Sequence, residues 1–531
     1  MEFDYIIIGA GSAGCVLANR LSADPHISVC LLEAGPEDTS PLIHTPVGVA
    51  AILPTRHVNW AFNTTEQRGL NNKLGYQPRG KTLGGSSSIN GMIYIRGHRT
   101  DYDDWKALGN TEWGYEEVLP YFRKSESYYG GTNQYHGTEG ELFVSRLQLH
   151  GVTKDFIEAG ISAGHSHNAD FNGEEQEGVG AYDVTIHKGK RWSTASAFLK
   201  PIREQRSNLK VITGALAERI ILDGKKAVGV SIRQKGKSRQ LKARKEVLLS
   251  AGAFGSPHLL MLSGIGPAEE LAPQGIAVLH ELPGVGQHLQ DHPDVVISYR
   301  SPDTSLLGVS VSGSAKIGAT LWQYLRHKTG SYASNCAEGG AFLKTDPNLD
   351  RPDIQLHSVI ALLDDHNRKL HWGHGFSCHI CVLRPKSVGS VGLTSSDPAV
   401  APKIDPNLLG QEEDLQTLLK GYRMALEIIK QAPMAKYQLQ DIYSADALTD
   451  EQLSEVIRAR ADSIYHPVGT CKMGRDENAV VDSHLKVHGI DNLRVVDASV
   501  MPTLVGGNTN AGTIMIAERA AEWIMQDQAT A

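Results

Sequence analysis

Short apolar runs alternate with glycine-rich turns along this chain of 531 residues, and the first of these units lies at its start. The apolar run Tyr5–Ile8 has the length of a buried strand. The glycine turn "GAGSAG" follows it, and Val16–Leu21 continues as a helix with an apolar face. A second apolar run, "SVCLLEAG", comes next. This pattern predicts a strand, a tight turn, a helix and a second strand, as in an α/β fold.

The turn has the spacing of a dinucleotide-binding fingerprint. Gly9 permits the tight turn, Gly11 lets the backbone approach a pyrophosphate, and Gly14 lets the helix pack closely on the strand. Glu33, nineteen residues after Gly14, is placed to accept hydrogen bonds from ribose hydroxyls. The phosphates would lie at the N-terminus of the helix. The sequence therefore predicts a dinucleotide site, with a plain glycine-rich turn as the alternative.

The fingerprint does not distinguish NAD from FAD. It occurs once in the chain, whereas a flavoprotein that is reduced by NAD(P)H usually needs a second unit of this kind. If the ligand is FAD, we therefore expect its electrons to come directly from the substrate.

Two further glycine-rich blocks follow. In "RGKTLGGSSSINGMIYIRG", residues 79–97, Gly84 and Gly85 precede three serines, which favours a polar loop with free N–H and O–H donors. Such a loop suits contact with a phosphate or with the polar edge of a ring system, and an ordinary surface loop is the alternative. The block "GAFGSPHLLMLSGIGP", residues 252–267, follows the apolar run "KEVLLSAG" and predicts a connection from strand to helix.

Composition narrows the class of protein. A hydrophobic content of 41%, a charged content of 21% and a net charge of -7 are typical of a soluble globular protein without a basic stripe for nucleic acid. The length predicts two or more domains. Six cysteines fit a reducing compartment rather than a disulfide framework. A strand pattern from Phe3 leaves no room for a secretory signal, and the apolar stretch 39–55 is too short and too broken to span a membrane.

These segments resemble the glucose-methanol-choline (GMC) oxidoreductases along nearly the whole chain. The similarity is carried by the fingerprint, "GKTLGGSSSIN", "GAFGSPHLLMLSGIG", "YHPVGTCKMG" and "LRVVDASVMPTLVGGNTNAGTIMIAERAA". Within the family the chain is most similar to bacterial alkanol and polyethylene-glycol dehydrogenases, and then to choline dehydrogenases. The resemblance implies an α/β fold with FAD as cofactor. A Rossmann-like FAD-binding domain (1–145, 190–298 and 455–531) is intertwined with a substrate domain on a mainly antiparallel sheet (146–189 and 299–454).

The resemblance places the catalytic histidine of the family at His466, in "SIYHPVGTCKMG". A residue before a proline is kept out of the helical region, so the His-Pro pair fixes the direction of this side chain. A neutral imidazole can accept the hydroxyl proton of an alcohol near pH 7, while FAD accepts the hydride. The second polar residue of the family is predicted at Asn510, which would hold the alcohol oxygen, with Asn508 as the rival position.

The resemblance also implies the remaining site residues. The cofactor-binding set consists of Gly9, Gly11, Ser12, Gly14, Glu33, Ala34, Gly84, Gly85, Ser86, Asn90, Ile93, Ala217, Asp497, Ala498 and Asn508. Glu338, with Trp60 and Tyr465, is predicted to face the substrate, where an acid and aromatic rings could hold a cationic head group. Some family members link the flavin covalently through a histidine. Because the corresponding position here is Ile89, FAD is predicted to bind non-covalently.

Three other patterns have residue types that could carry chemistry. The cysteines of "CHIC", residues 378–381, lie in a strand-like alternation without the second pair of a zinc site, and we interpret them as structural. His288 and His292 have a metal-like spacing, but the resemblance indicates a surface turn, and no metal site is predicted. Segment 305–325 is apolar with one lysine, and it is either a core segment or a mobile lid or membrane-touching surface.

The predicted function is the FAD-dependent oxidation of primary alcohols to aldehydes. Choline oxidation is the first alternative, followed by an alcohol oxidase that uses O2 and by a flavin-binding lyase. The electron acceptor is predicted to be a quinone or an electron-transfer partner. The predicted location is the cytoplasm, and peripheral contact with the inner face of the cell membrane stays open.

Overall fold

Two large β-sheets with helices packed around them form the protein. The computed structural model describes residues 1–309, 313–364, 368–369, 371–438, 440–443 and 445–530. The first sheet is partly parallel and the second is antiparallel. The predicted α/β class is therefore confirmed, including the mainly antiparallel second sheet.

The first sheet contains the strands that the early apolar runs predict. Its order is Leu209–Ile212, Val29–Leu32, Glu2–Ile8, Lys237–Leu249, Lys226–Gln234 and Ala215–Asp223, with Leu493–Val495 also paired to Lys237–Leu249. The first four of these strands and Leu493–Val495 pair in parallel, whereas the other two form an antiparallel ribbon. Tyr5–Ile8 is buried at the centre of the sheet, as expected for a parallel strand covered on both faces.

Glycine lets the first helix lie directly against the central strand. A Cβ at Gly14 would lie 1.9 Å from the carbonyl oxygen of Gly9. Gly9 itself has a φ of +102°, and a Cβ there would lie 2.4 Å from the carbonyl oxygen of Ser250. Both positions therefore require glycine, one for helix packing and the other for the turn.

The second sheet has the order Gln440–Asp441, Pro293–Ser301, Gly373–Val382, Ile354–Val359, Gly339–Leu343 and Gly178–Ala181. Gly308–Val309 also pairs with Gly373–Val382, and Asp462–Ser463 pairs with Pro293–Ser301. The strand predicted around "CHIC" is confirmed, and Cys378 and Cys381 are buried in it. All six cysteines of the chain are buried and free.

The chain passes repeatedly between the two sheets. Strands of the first sheet come from residues 2–32, 209–249 and 493–495, and those of the second sheet come from 178–181 and 293–463. The predicted boundary at residue 298 falls inside a strand of the second sheet. The division into an FAD-binding and a substrate domain stays a prediction.

The helices cover the outer faces of the sheets. The longer ones are Ser12–Leu21, Arg99–Ala107, Tyr115–Ser125, Gly151–Ser162, Gly252–Leu262, Gly313–His327, Glu412–Ile429, Asp450–Arg460 and Thr509–Thr530. Short α-helices are Pro41–His44, Val49–Ile52, Lys200–Arg203 and Ala268–Leu271, and a π-helix spans Ala195–Leu199. Short 3-10 helices are Pro46–Gly48, Arg68–Leu70, Gly85–Ser88, Ala272–Gln274, Ser331–Ala333, Ala432–Tyr437, Ala445–Ala447 and Ala498–Val500. Among the helices that the structure describes, none is long and apolar enough to cross a membrane.

Smaller β-structures complete the architecture. The pairs are Phe62–Gln67 with Lys73–Gln77, Ile186–His187 with Lys190–Arg191, Ile265–Gly266 with His280–Glu281, and Ser390–Gly392 with Lys403–Asp405. A three-stranded sheet joins Glu126–Tyr128, Leu142–Arg146 and Asp183–Val184.

Segment 305–325, interpreted as core, lid or membrane surface, lies partly outside the described residues, which omit 310–312. Its later part is an exposed helix face, with large apolar side chains at Leu321, Trp322 and Leu325. This described part is therefore not a core helix.

Candidate active site

A cavity of about 1110 Å³ is lined by residues of both sheets. Its walls include the fingerprint turn, the serine-rich part of the 79–97 block, the start of helix Gly252–Leu262 and the segment Ile464–Pro467. Ala217 comes from the first sheet, and His357 comes from the second. The fold thus brings the chemically distinctive motifs of the sequence to one place.

The two N-terminal glycine-rich loops contact each other at the cavity wall. The N–H of Gly84 donates to the carbonyl oxygen of Ala10 at 2.7 Å. Gly85 has a φ of +52°, and a Cβ there would lie 2.6 Å from the Cα of Gly11. A side chain at Gly85 would therefore push the loops apart.

Gly11 leaves the N-terminus of helix Ser12–Leu21 open to the cavity. A Cβ at Gly11 would meet only the Cα of Gly85, at 4.0 Å, so packing within the protein does not require glycine at this position. The missing side chain exposes the N–H groups of the first helical turn, where the helix dipole attracts anions. This cradle fits a pyrophosphate, which needs N–H donors and a close approach of the backbone.

Glu33 lies buried just after strand Val29–Leu32, where it lines the cavity with Ala34. One carboxylate oxygen accepts from the N–H of Ala10 at 3.1 Å, and the other accepts from the N–H of Gly35 at 2.8 Å. Burial raises the pKa of Glu33 to about 7, although these N–H donors oppose the shift. The carboxyl group is thus held rigidly at the cavity wall, and its role as the acceptor for a ribose hydroxyl stays a prediction.

Asp497 joins the last strand of the first sheet to the start of helix Gly252–Leu262. Its Oδ2 accepts from the N–H of Gly252 at 2.8 Å and from the hydroxyl of Ser256 at 2.5 Å. Burial raises the pKa of this carboxyl group, and the hydrogen bonds lower it in part. Ala498 follows and lines the cavity.

Most of the predicted cofactor residues line this cavity. They are Gly9, Gly11, Ser12, Glu33, Ala34, Gly85, Ser86, Asn90, Ile93, Ala217, Asp497, Ala498 and Asn508. Gly14 and Gly84 do not line it, because Gly14 packs the helix on its strand and Gly84 supports the contact between the loops. Any contribution of these two glycines to cofactor binding is therefore indirect.

The backbone of His466 is fixed from several directions. Its N–H donates to Oδ1 of Asp291 at 2.8 Å. The preceding Tyr465 has a φ of +72°, which is a strained conformation for a residue with a side chain, and Pro467 follows. The Arg79 guanidinium donates to the carbonyl oxygen of Tyr465 at 2.6 Å. These constraints fix where the imidazole enters the cavity.

The side chains of His292 and Asn508 contact the ring of His466. Its Nδ1 lies 3.0 Å from Nδ1 of His292, and its Nε2 lies 3.2 Å from the amide nitrogen of Asn508. The interpretation of residues 288–292 as a surface turn is wrong at His292, which is fully buried because it directly precedes a strand of the second sheet. Nε2 of His288 instead faces the carbonyl oxygen of Pro502 at 3.0 Å. Among the described residues there is no cluster of three side chains that could hold a metal ion.

The ring of His466 is electrically neutral at pH 7. Burial lowers its pKa well below the ordinary value, and the rings of His292 and His357 and the charge of Arg79 lower it further. Burial also lowers the pKa of His292 to about 3. Both imidazoles are therefore neutral, so one hydrogen lies between their two Nδ1 atoms. A neutral His466 can accept a proton from a ligand in the cavity.

Asn508, and not Asn510, lies against His466. The side-chain oxygen of Asn510 accepts from the hydroxyl of Ser12 at 2.6 Å, at the fingerprint helix. Both asparagines line the cavity, but they stand two residues apart at the start of the last helix and point to different parts of it. The structure therefore places Asn508 beside the histidine and Asn510 at the fingerprint helix, and the catalytic role of Asn510 stays a prediction.

Glu338 does not join Trp60 and Tyr465 at the cavity, although both aromatic residues line it. The carboxylate of Glu338 is buried and accepts from the N–H of His150 at 2.6 Å and from the hydroxyl of Ser334 at 2.7 Å. These donors satisfy the acid within the protein. The hypothesis that Glu338 faces a cationic head group is therefore not supported by its position.

The polar side chains near His466 that sequence reasoning missed include Arg79 and His292. Arg79 lines the cavity and donates to the carbonyl oxygens of Pro78 and Tyr465, both at 2.6 Å, and burial lowers its pKa to about 10. In the sequence, the spacing of His292 from His288 suggests only metal binding. A signal for His292 was present, because "DHPD" contains a second His-Pro pair.

Comparison with known proteins identifies the family. The N-terminal and C-terminal models of the GMC oxidoreductases match residues 3–294 and 385–517. The chain belongs to the GMC oxidoreductase family. It is therefore an oxidoreductase of a family that binds FAD, as the sequence resemblance predicts.

Individual relatives agree with this assignment. The chain is 50% identical to alcohol dehydrogenase (acceptor) of Pseudomonas putida, across 99% of this chain and 96% of that protein. It is 43% identical to mitochondrial choline dehydrogenase of Homo sapiens, across 98% and 90% of the two chains. Among solved structures, pyridoxine 4-oxidase from Mesorbium loti has a TM-score of 0.90 at 30% identity, with 99% of each chain covered. A formate oxidase variant from Aspergillus oryzae, studied for FAD modification, has a TM-score of 0.92 at 27% identity, covering 100% of this chain and 99% of its own.

Replacing Glu33 by alanine is expected to weaken FAD binding about 10- to 100-fold, the range for a lost hydrogen bond to a charged group. Glu33→Gln keeps one carbonyl oxygen as an acceptor, so it should weaken FAD binding less than Glu33→Ala does. Retention of FAD during ultrafiltration measures the affinity, and the ratio of flavin reduction rates with two alcohols measures selectivity. That ratio should not change, so an altered ratio at full flavin occupancy would contradict a role confined to the cofactor.

Proposed function

We propose that this enzyme oxidises primary alcohols to aldehydes with FAD as cofactor and His466 as general base. The observation that carries the proposal is a neutral imidazole, paired with an amide, in the same cavity as the two glycine-rich loops. A substrate bound beside His466 would share one enclosed space with a dinucleotide held at Gly11 and Glu33. Membership in the GMC oxidoreductases supports the same reaction class.

Side chains of the protein position the alcohol and accept its hydroxyl proton. His466 Nε2 accepts it, and the lowered pKa keeps the ring in its basic form at neutral pH. The Asn508 amide donates to the alcohol oxygen and holds it beside the base. Bound FAD supplies the acceptor for the hydride. The burial of this pocket excludes water from the oxygen while it carries developing negative charge.

The charges around the cavity favour a neutral alcohol over choline. Within the described part of its lining the cations include Arg56, Arg79 and Lys81, whereas the carboxyl groups are Glu33 and Asp497. Both carboxyl groups already accept backbone N–H groups, and both belong to the proposed cofactor side. A quaternary ammonium group near His466 would meet the positive charge of Arg79 without a carboxylate beside it.

Choline oxidation stays the second candidate. The 43% identity to a choline dehydrogenase supports it, and Trp60 and Tyr465 could contact an ammonium group through their rings. The ring of Trp60 already has the ammonium of Lys81 at 3.9 Å from its centroid. The positive charge of Lys81 would compete with a cationic substrate at this ring, which again favours neutral alcohols.

The comparisons and the exposed surface also suggest an electron acceptor and a location for the protein. The similarity to an alcohol dehydrogenase (acceptor) favours an acceptor other than NAD, and we propose a quinone or an electron-transfer partner rather than O2. A cytoplasmic protein with peripheral contact at the inner face of the membrane agrees with the exposed Trp322 and Leu325, beside the basic Arg326.

FAD is proposed to bind without a covalent bond. Ile89, at the position where some relatives have a linking histidine, lines the cavity and is 2% exposed. A hydrocarbon side chain has no atom that could form a bond to a flavin methyl group. Retention would rest on the helix N-terminus at Gly11, on Glu33 and on burial of the ring system.

Replacing His466 by alanine should leave FAD bound and lower the rate of anaerobic flavin reduction by a factor on the order of 10² to 10⁴, because the base is lost. The wild-type rate should fall as the pH falls through the lowered pKa of His466, and the variant should lack this dependence. Stopped-flow absorbance of the flavin measures both. A rate within about threefold of wild type would exclude His466 as the base, since general-base catalysis contributes far more.

Asn508→Ala and Asn510→Ala form a matched pair. The first should slow flavin reduction on the order of 10²-fold, because a hydrogen-bond donor to the reacting oxygen is lost. The second should mainly weaken FAD retention, because Asn510 contacts Ser12 at the fingerprint helix. The reverse order of effects on the reduction rate would restore Asn510 as the catalytic partner.

A panel of aliphatic and aromatic primary alcohols should reduce the flavin faster than choline does under anaerobic conditions. Subsequent reoxidation with a quinone or with air identifies the acceptor class. A clear preference for choline would move the assignment to the second candidate. A flavin that no alcohol bleaches would favour the lyase alternative, since a lyase does not transfer electrons from its substrate.

Acid or heat denaturation should release free FAD into the supernatant, because the position of the linking histidine is occupied by Ile89. Absorbance of the supernatant and of the washed precipitate measures the distribution. Flavin that stays with the precipitated chain would show that another residue forms a covalent link.

A further inference from the structure

A chain of hydrogen bonds connects the second sheet to the ring of His466. The hydroxyl of Tyr182 lies 2.6 Å from the carbonyl oxygen of Leu356. Nε2 of Gln355 lies 3.4 Å from that hydroxyl and 3.3 Å from Oδ1 of Asn508. The amide nitrogen of Asn508 lies 3.2 Å from Nε2 of His466. Tyr182 and Gln355 are fully buried, so water cannot replace these partners.

The backbone carbonyl at one end fixes the direction of every bond in this chain. The Leu356 oxygen can only accept, so Tyr182 uses its single hydrogen there and must accept from its other neighbour. The NH2 group of Gln355 therefore faces Tyr182. Because the same NH2 group also faces Asn508, the oxygen of Asn508 must point toward Gln355, and its own NH2 group faces His466.

This direction sets the position of the hydrogen on His466. Its Nε2 accepts from Asn508 and carries a lone pair, so the single hydrogen of the neutral ring lies on Nδ1. That hydrogen points to Nδ1 of His292, 3.0 Å away, which must then accept. His292 therefore carries its hydrogen on Nε2.

We propose that Gln355 is a positioning residue that keeps Nε2 of His466 free of hydrogen. Gln355 acts through Asn508, because it contacts the amide and not the imidazole. An alcohol that binds between Asn508 and His466 meets the same donor on the amide and the same acceptor on the imidazole. The amide N–H donates to the alcohol oxygen, and the alcohol hydroxyl donates to Nε2. The inference rests on the proposed role of His466 as the base, and it identifies which nitrogen is prepared for that role.

Two nearly isosteric variants test the direction of the chain. Gln355→Glu, ionised at alkaline pH, can only accept, so it should turn the Asn508 amide around and place the hydrogen of His466 on Nε2. Gln355→Met removes the polar group and should leave a mixture of the two tautomers. Ser358→Ala removes a buried hydroxyl from the same strand without touching this chain, and serves as the control.

The direct readout is nitrogen NMR of the FAD-bound protein labelled with ¹⁵N-histidine. The His466 signals are assigned by their loss in His466→Ala. The wild type and Ser358→Ala should show a pyridine-type Nε2 and a pyrrole-type Nδ1, and Gln355→Glu should show the reverse. A His466 tautomer that is unchanged in both Gln355 variants would overturn the proposal, as would a wild-type ring with its hydrogen on Nε2.

The kinetic readout separates this inference from the proposed function. Gln355→Met should slow anaerobic flavin reduction about 2- to 10-fold, the range for one neutral hydrogen bond. Gln355→Glu should slow it more, although it retains the size and shape of the side chain. If His466→Ala reduced its flavin at the normal rate, the proposed function would fail, whereas the NMR result would still decide whether Gln355 sets the tautomer. Equal losses in the two Gln355 variants, without a change of tautomer, would indicate a merely structural role.

Discussion

The carboxylate of Asp291 is the constraint on which the geometry around His466 depends. Its Oδ1 accepts from the backbone N–H groups of both His292 and His466, so one atom holds the two His-Pro segments together. Its Oδ2 accepts from the side chains of Gln77 and Ser463. Burial raises the pKa of this carboxyl group, and the donors around it oppose the shift. Without these four partners the charge could not remain buried, and neither imidazole would have a fixed position.

The two sheets contribute different groups to the cavity. The first sheet and its helices provide the groups that suit a dinucleotide, namely the open helix N-terminus, Glu33 and Asp497. The second sheet provides Gln355 and the histidines on its strands, and Tyr182 directly follows one of these strands and continues the polar chain. His466 stands where the two sets meet, and the strained Tyr465 before it shows that this position is held against local preference.

The sequence pattern was sufficient to predict those strands and tight turns that depend on residues close together in the chain. The apolar runs near the N-terminus and around "CHIC" became strands, and the glycines at positions 9 and 14 have tight packing environments. The pairing of residues 291–293 with 462–466 could not be predicted, because it joins segments that are remote in sequence and similar to many polar loops. For the same reason, counting along the sequence could not show which of Asn508 and Asn510 lies beside His466. The sequence also could not show that Ser334 and a backbone N–H donate to the carboxylate of Glu338.

The interleaved path of the chain has a consequence for how the protein is made. The segment that carries His466, the strand Leu493–Val495 and the helix Thr509–Thr530 comes after every strand of the second sheet in sequence. During synthesis the ribosome therefore delivers the fingerprint turn first, and it delivers Asp497, Asn508 and the fingerprint's partner Asn510 last. A nascent chain can form the antiparallel sheet while the parallel sheet still lacks its final strand. We therefore expect the nucleotide pocket to be complete only after the last helix, Thr509–Thr530, has been synthesised, so a truncated product would expose an incomplete pocket to the quality-control machinery of the cell.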